Sequence, residues 1–105
     1  MRIVVIGAGH VGRTVVEALH DEHEVIVIDL DAANVAALSY RFDVHAVTGN
    51  GASRRTLAEA GVDRADLVIA STSRDEVNLV ATMLAKRLSS ARTVVRASNA
   101  EYLDA

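Results

Sequence analysis

No cysteine and no proline occur among the 105 residues. Without cysteine the chain has neither disulfide nor thiolate chemistry, which fits a reducing compartment. The missing proline goes with the absence of any low-complexity tract or block of like charge. Nothing therefore marks a linker, and residues 1–105 read as one domain. Long hydrophobic runs are missing too. The apolar opening lasts about as long as one strand, well short of the ~20 residues of a membrane span, and no signal-peptide cleavage pattern follows it. Direct membrane insertion is not expected, and the chain reads as cytoplasmic. There is no basic excess either: 11 Lys and Arg face 14 Asp and Glu, a net charge of −3, which argues against a nucleic-acid partner.

What is present is ordinary for a globular domain, with 50% apolar and 24% charged residues. A chain of this length buries roughly two-thirds of the surface it exposes when unfolded, enough for one core. Five short runs are apolar at nearly every position: RIVVI (2 to 6), EVIVID (24 to 29), DVHAV (43 to 47), DLVIA (66 to 70) and RTVVR (92 to 96). Such runs suit strands buried on both faces. Helical periodicity separates them, as in Val35, Leu38 and Phe42, or Val77, Val80, Ala81, Leu84 and Leu88. This alternation predicts an α/β fold, a Rossmann-like doubly wound parallel sheet of about five strands with helices on both faces. The chain stops at NAEYLDA, where a further helix or a C-terminal domain would begin.

The first strand runs directly into GAGHVG, a G-x-G-x-x-G pattern. In that context Gly7 allows the tight turn, Gly9 lets backbone approach a pyrophosphate, and Gly12 lets the helix pack closely. Amides at the helix N-terminus then face the phosphates. The second strand ends on Asp29, twenty residues after Gly9, the spacing of an acid that accepts from ribose hydroxyls. A carboxylate there repels a 2′-phosphate, so NADP is disfavoured. Asp31 reads as the N-cap of the next helix.

Other polar positions keep two readings. Asn50, between Gly49 and Gly51, either meets a ligand or supports a left-handed turn. Ser71 and Thr72 either line a site or cap the fourth long helix; for Ser73 the cap is preferred, with Glu76 completing a capping box. Arg96, at the carboxyl end of the fifth strand, lies where open α/β sheets bind ligands. His20, His23 and His45 have neither metal-ligand spacing nor acidic company, so no metal site is expected.

The glycine loop, VIVIDLD, VTGNGAS (47 to 53), ADLVIASTSRDEVN (65 to 78) and VVRASNAEY (94 to 102) together resemble the regulatory RCK, KTN or TrkA-N domain of Trk/Ktr-type potassium uptake systems. The most distinctive piece is T-x-x-D-E-x-N, Thr72 to Asn78. The resemblance implies a domain that binds NAD(H) or an adenine nucleotide, ADP or ATP, and regulates a membrane partner without doing chemistry. It places Gly7, Gly9 and Gly12 in the phosphate loop, with His10 and Val11 beside them. Asp29 becomes the ribose acid, Leu30 its neighbour, and Asn50 and Gly51 the adenine edge. Ser71 and Thr72 line the middle of the nucleotide, and Arg96 reaches phosphate or a neighbouring subunit. His10 replaces an arginine of ATP-sensing members, Ser98 a second basic residue and Ala100 a proline, departures that favour a dinucleotide.

By the same resemblance the partner is the membrane subunit of a potassium channel or transporter, on whose inner face the domain sits as a homodimer or higher homo-oligomer. Leu79 and Met83 serve either that interface or the core. With no G-x-S-x-G and a single lysine, Lys86, no catalytic group is expected. The alternative is the cofactor-binding half of an NAD-dependent oxidoreductase without its catalytic domain; a structural oligomerisation module is a third reading.

Overall fold

The computed structural model describes residues 1–103, of Ala100 and Leu103 the backbone alone. Strand β1 (Arg2–Ile6) pairs in parallel with β2 (Glu24–Asp29) on one side and β4 (Leu67–Ala70) on the other. Strands β3 (His45–Thr48) and β5 (Arg92–Val95) form the edges, so the sheet order is β3-β2-β1-β4-β5. Alternation along β1 divides the core. Ile3 and Val5 point to one face with Val25, Val27, Val16 and Leu38, covered by α1 (His10–Leu19) and α2 (Ala32–Arg41). Val4 and Ile6 point to the other with Ile26, Ile28, Leu57 and Val68, covered by α3 (Arg54–Glu59) and α4 (Asp75–Leu88). Each fully buried Val, Leu or Ile contributes about 1.5–3 kcal/mol, which makes the central strands the anchor of the fold.

The doubly wound parallel architecture is as expected, with two corrections. The edge strands are not buried on both faces: His45, Arg92, Val94 and Val95 are exposed, because each edge has one strand neighbour and less helix cover. Val80 is 42% exposed rather than part of the core face. Helix α4 rests on the sheet through Ala81 and Ala85, whose small side chains let it approach closely and leave Val80 rotated outward. Met83 is exposed as well, which removes it from the core, while Leu79 is half-buried. Asp31 caps α2 as anticipated, its Oδ1 accepting from the Ala33 N–H at 2.8 Å.

A short helix, α5 (Ala100–Leu103), follows β5 and leans on the start of α4. The carboxylate of Asp75 accepts the backbone N–H of Ser98 and of Asn99, and Tyr102 donates its hydroxyl to Glu76 Oε2 at 2.7 Å. No helix among the described residues is long and apolar enough to cross a membrane.

Candidate functional site

The chain winds outward from β1 through β2 to β3, then returns to β4 and winds the other way to β5. Loops leaving β1 and β4 therefore part to opposite faces, and a crevice opens at their carboxyl ends. A cleft of about 300 Å³ occupies that position.

Its floor is the glycine loop. Gly7 has φ +107°, and its N–H donates to the Ile28 carbonyl at 2.7 Å. A Cβ on Gly7 would stand 2.9 Å from the Ser71 carbonyl carbon, so both backbone angle and space demand glycine. On Gly12 a Cβ would overlap the Gly7 carbonyl; the helix packs against the loop itself. Gly9 differs, since an added Cβ meets nothing within 4 Å. It occupies the N-cap of α1 without a side-chain cap, and the amides of His10, Val11 and Gly12 make no backbone hydrogen bond among the described residues. Those donors, with the positive end of the helix dipole behind them, favour an anion.

On the β2 side, half-buried Asp29 accepts the Ala8 N–H at 2.6 Å on Oδ2 and the Asp31 N–H at 2.7 Å on Oδ1. The acid thus clamps the glycine loop to the end of β2, while each oxygen keeps a lone pair for a hydroxyl. Leu30 beside it is 67% exposed. Asn50 Oδ1 accepts the Ala52 N–H at 2.8 Å, an Asx turn. The turn it supports is not left-handed, because among the described residues only Gly7 and Gly61 have positive φ.

On the β4 side, buried Ser71 sends both its N–H (2.8 Å) and its Oγ (3.1 Å) to the Ile6 carbonyl, holding β4 to β1. Thr72 follows, locked to Asn78, and the Arg96 guanidinium approaches the Thr72 carbonyl at 3.5 Å. The expected Ser73–Glu76 capping box does not form. Helix α4 starts at Asp75 with Arg74 at the N-cap and no side-chain cap bond. Glu76 is taken by Tyr102, and the Thr72 hydroxyl oxygen accepts the Arg74 N–H at 3.2 Å. The bonds from Ser98 and Asn99 hold the Asp75 carboxyl below its ordinary 3.8, helped by the charge of Arg96 and opposed by burial. Tyr102 is pushed above 10.0 by its bond to Glu76 and by that group's charge.

Of the twelve residues singled out from the sequence, Gly7, Gly9, His10, Asp29, Leu30, Asn50, Gly51, Ser71, Thr72 and Arg96 line the cleft; Val11 and Gly12 do not. Asn34, Arg74 and Val77 line it as well and were not anticipated. Asn34 sits in the first turn of the helix after Asp29, and Arg74 and Val77 lie inside the T-x-x-D-E-x-N segment, so position relative to those motifs was the available signal. At the opposite end of the sheet, His20, His23 and His45 share a depression with Asp21, Glu24 and Asp43, contrary to the expected lack of acidic company. His20 Nδ1 lies 3.3 Å from Asp21, and its ring packs on Phe42.

A parallel sheet wound both ways, with a glycine loop, a strand-end acid and a crevice at the switch point, defines a Rossmann-type α/β domain. More particularly, a family model described as TrkA-N domain matches residues 3–105, and the chain belongs to that family. A Trk system potassium uptake protein TrkA homolog of Archaeoglobus fulgidus is 42% identical over 104 residues, 99% of this chain and 24% of that protein. The Trk system potassium uptake protein TrkA of Halomonas elongata is 40% identical over 89 residues, 84% of this chain and 20% of that protein. The chain thus spans a quarter or less of the length of these two curated relatives. Among solved structures, a Shewanella denitrificans Kef CTD in AMP-bound form has a TM-score of 0.83 over 97% of this chain and 62% of that one. At 19% identity that likeness speaks for the fold alone.

Proposed function

We propose that this chain is a nucleotide-binding regulatory domain of a potassium uptake system, with NAD(H) as its ligand. The observation that carries the reading is the cleft at the switch point, lined by Gly7, Gly9, His10 and Asp29, where α1 begins with open amides behind a loop that has no side chain at Gly9. The pyrophosphate lies along the loop, the adenosine ribose on Asp29, and the base between Leu30 and Asn50. The other half of the dinucleotide runs toward Thr72, Arg74 and Arg96. A 2′-phosphate meets the Asp29 carboxylate, which disfavours NADP(H). ADP and ATP share the adenosine half and remain competitors for the same wall.

No chemistry is assigned to the site. Its wall is glycine, hydroxyl, amide and apolar groups with two arginines and a histidine, and its one acid is engaged by two backbone amides. The names of the relatives support transport regulation rather than catalysis. Residues 1–105 act as the N-terminal nucleotide unit of a longer protein, on the cytoplasmic face of the membrane, beside a channel or transporter subunit. A ligand biases that partner only through unequal affinity for two arrangements.

The test is equilibrium titration of the chain with NADH, NADPH, ADP and ATP side by side. It is joined to potassium uptake in cells lacking the parent gene, complemented by wild type or by a non-binding variant. Absence of binding by all four, or uptake indifferent to the gene, refutes the reading.

A further inference from the structure

Beyond Ala70 and Arg96 the β4–β5 ladder ends; its last bond runs from the Arg96 N–H to the Ala70 carbonyl at 2.9 Å. Past that point the two chains, which carry Thr72 and the Arg96 side chain into the cleft, are no longer fixed by the sheet. Besides the exposed Arg96 guanidinium, 3.5 Å from the Thr72 carbonyl, one buried side chain spans them. Asn78, in the first turn of α4, is 0% exposed, and its amide uses its full hydrogen-bonding capacity. Oδ1 accepts the Thr72 N–H at 2.9 Å and the Thr72 hydroxyl at 2.6 Å. Nδ2 donates to the Thr72 carbonyl at 3.0 Å and to the Arg96 carbonyl at 2.9 Å.

We propose that Asn78 is a positioning residue for the cleft: it sets Thr72 and Arg96 relative to each other and so fixes how the β4–β5 side grips its ligand. This rests on the nucleotide reading above. Only an amide of this length does the task. Aspartate has the acceptors but puts a charge against two carbonyl oxygens, leucine has neither donors nor acceptors, and glutamine is a methylene too long for a closed pocket. Because Asn78 touches the cleft through Thr72 and Arg96 alone, its loss acts on ligands that reach that side and spares those held at Asp29.

Asn78→Ala, and Asn78→Ser in case the first does not fold, are compared with Thr82→Ala. Thr82 lies one turn further along the buried face, and its hydroxyl bonds only to the Asn78 and Leu79 carbonyls. In the ligand-free chain, amide exchange should accelerate at Thr72, whose N–H loses its acceptor, and stay slow at Arg96, whose N–H is held by Ala70. Titrations well below each melting point should show NADH affinity lowered about tenfold by loss of the Asn78 amide. AMP, confined to the Asp29 side, should change by less than about twofold, and Thr82→Ala should leave the NADH-to-AMP ratio at the wild-type value.

An unchanged ratio in a folded Asn78 variant overturns the proposal. So does an equal shift in Thr82→Ala, which would mark general destabilisation, or loss of fold in both Asn78 variants, which would make the residue a folding element only. A wild-type chain that binds neither NADH nor AMP refutes the nucleotide reading instead, and the exchange at Thr72 still decides whether Asn78 holds that residue.

Discussion

Gly9→Val separates folding from binding. The backbone at Gly9 is extended, φ −78° and ψ −161°, a region valine adopts without strain, and an added Cβ meets nothing within 4 Å. The folded state therefore loses only the difference between glycine and a β-branched residue at an N-cap, about 0.5–1 kcal/mol. For a domain of this size that is a fall of roughly 2–8 °C in melting temperature. The same substitution three residues on behaves oppositely, because a Cβ at Gly12 overlaps the Gly7 carbonyl, and Gly12→Val should not fold. In the cleft the balance reverses. Gly9 lines the wall and Gly12 does not, so the valine methyl groups at Gly9 fill the space in which a pyrophosphate must approach the α1 amides. Losing that approach forfeits several charge-assisted hydrogen bonds of about 1.5–3 kcal/mol each, more than a hundredfold in affinity. Melting by circular dichroism and calorimetric titration with NADH measure both halves. A Gly9→Val variant with a native melt and wild-type NADH affinity refutes the placement of the phosphate; one that fails to fold refutes the claim that the position is structurally free.

Asp29→Ala should cut NADH affinity ten- to a hundredfold, about 1.5–3 kcal/mol, and also lower stability because the Ala8 and Asp31 amides lose their acceptor. The decisive readout is thus the NADH-to-NADPH ratio, which should fall toward unity in the variant; equal affinities in wild type would sink the idea. Asp75 has its native pKa lowered, so the stability it contributes is complete above its ordinary 3.8 and is lost as pH falls through the lower native value. The stability gap between wild type and Asp75→Ala, from urea titrations, should accordingly be wide near pH 7 and narrow as pH falls through the lowered native value; a gap independent of pH contradicts the carboxylate's role. Self-association is expected through the apolar surface of β5 and α4, where Val94, Val95 and Met83 are exposed. Sedimentation should show a concentration-dependent dimer weakened by Met83→Glu, and a strict monomer at every concentration would rule this out.

The parts of this molecule legible in advance are those whose physics is local. β1 and β2 have the bounds of their apolar runs because both strands are buried on two faces, and burial on two faces is what an unbroken apolar run encodes. The glycine loop was equally readable, since a strand, a turn and a helix N-terminus lie within ten residues. β3 starts at His45 rather than residue 43, for a different reason. An edge strand begins where its one neighbour offers a partner, and here that partner is Ile26, which no local pattern announces. The α4 cap fails the same way: Ser73 and Glu76 have capping-box spacing, but Glu76 is claimed by Tyr102, 26 residues further on.

Asn78 shows where the boundary lies. In the sequence it is one polar residue in an amphipathic helix, indistinguishable from a solvated position, and it drew notice only as the last letter of a family motif. Its burial becomes necessary once β5 is laid beside β4, because the Arg96 carbonyl then ends within reach of the Thr72 backbone and neither has a partner in the sheet. The other letters of the motif have the same character. Asp75 takes the amides of residues 98 and 99, and Glu76 takes the hydroxyl of Tyr102. Each contact crosses from the first turn of α4 to the segment leaving β5, so the spacing T-x-x-D-E-x-N is that of one helical turn presenting two carboxylates to that segment and an amide to both strand exits. The segment from Thr72 to Asn78 is thus an arrangement for joining the cleft wall to the chain that follows it, and only the tertiary fold reveals what each of its polar residues holds.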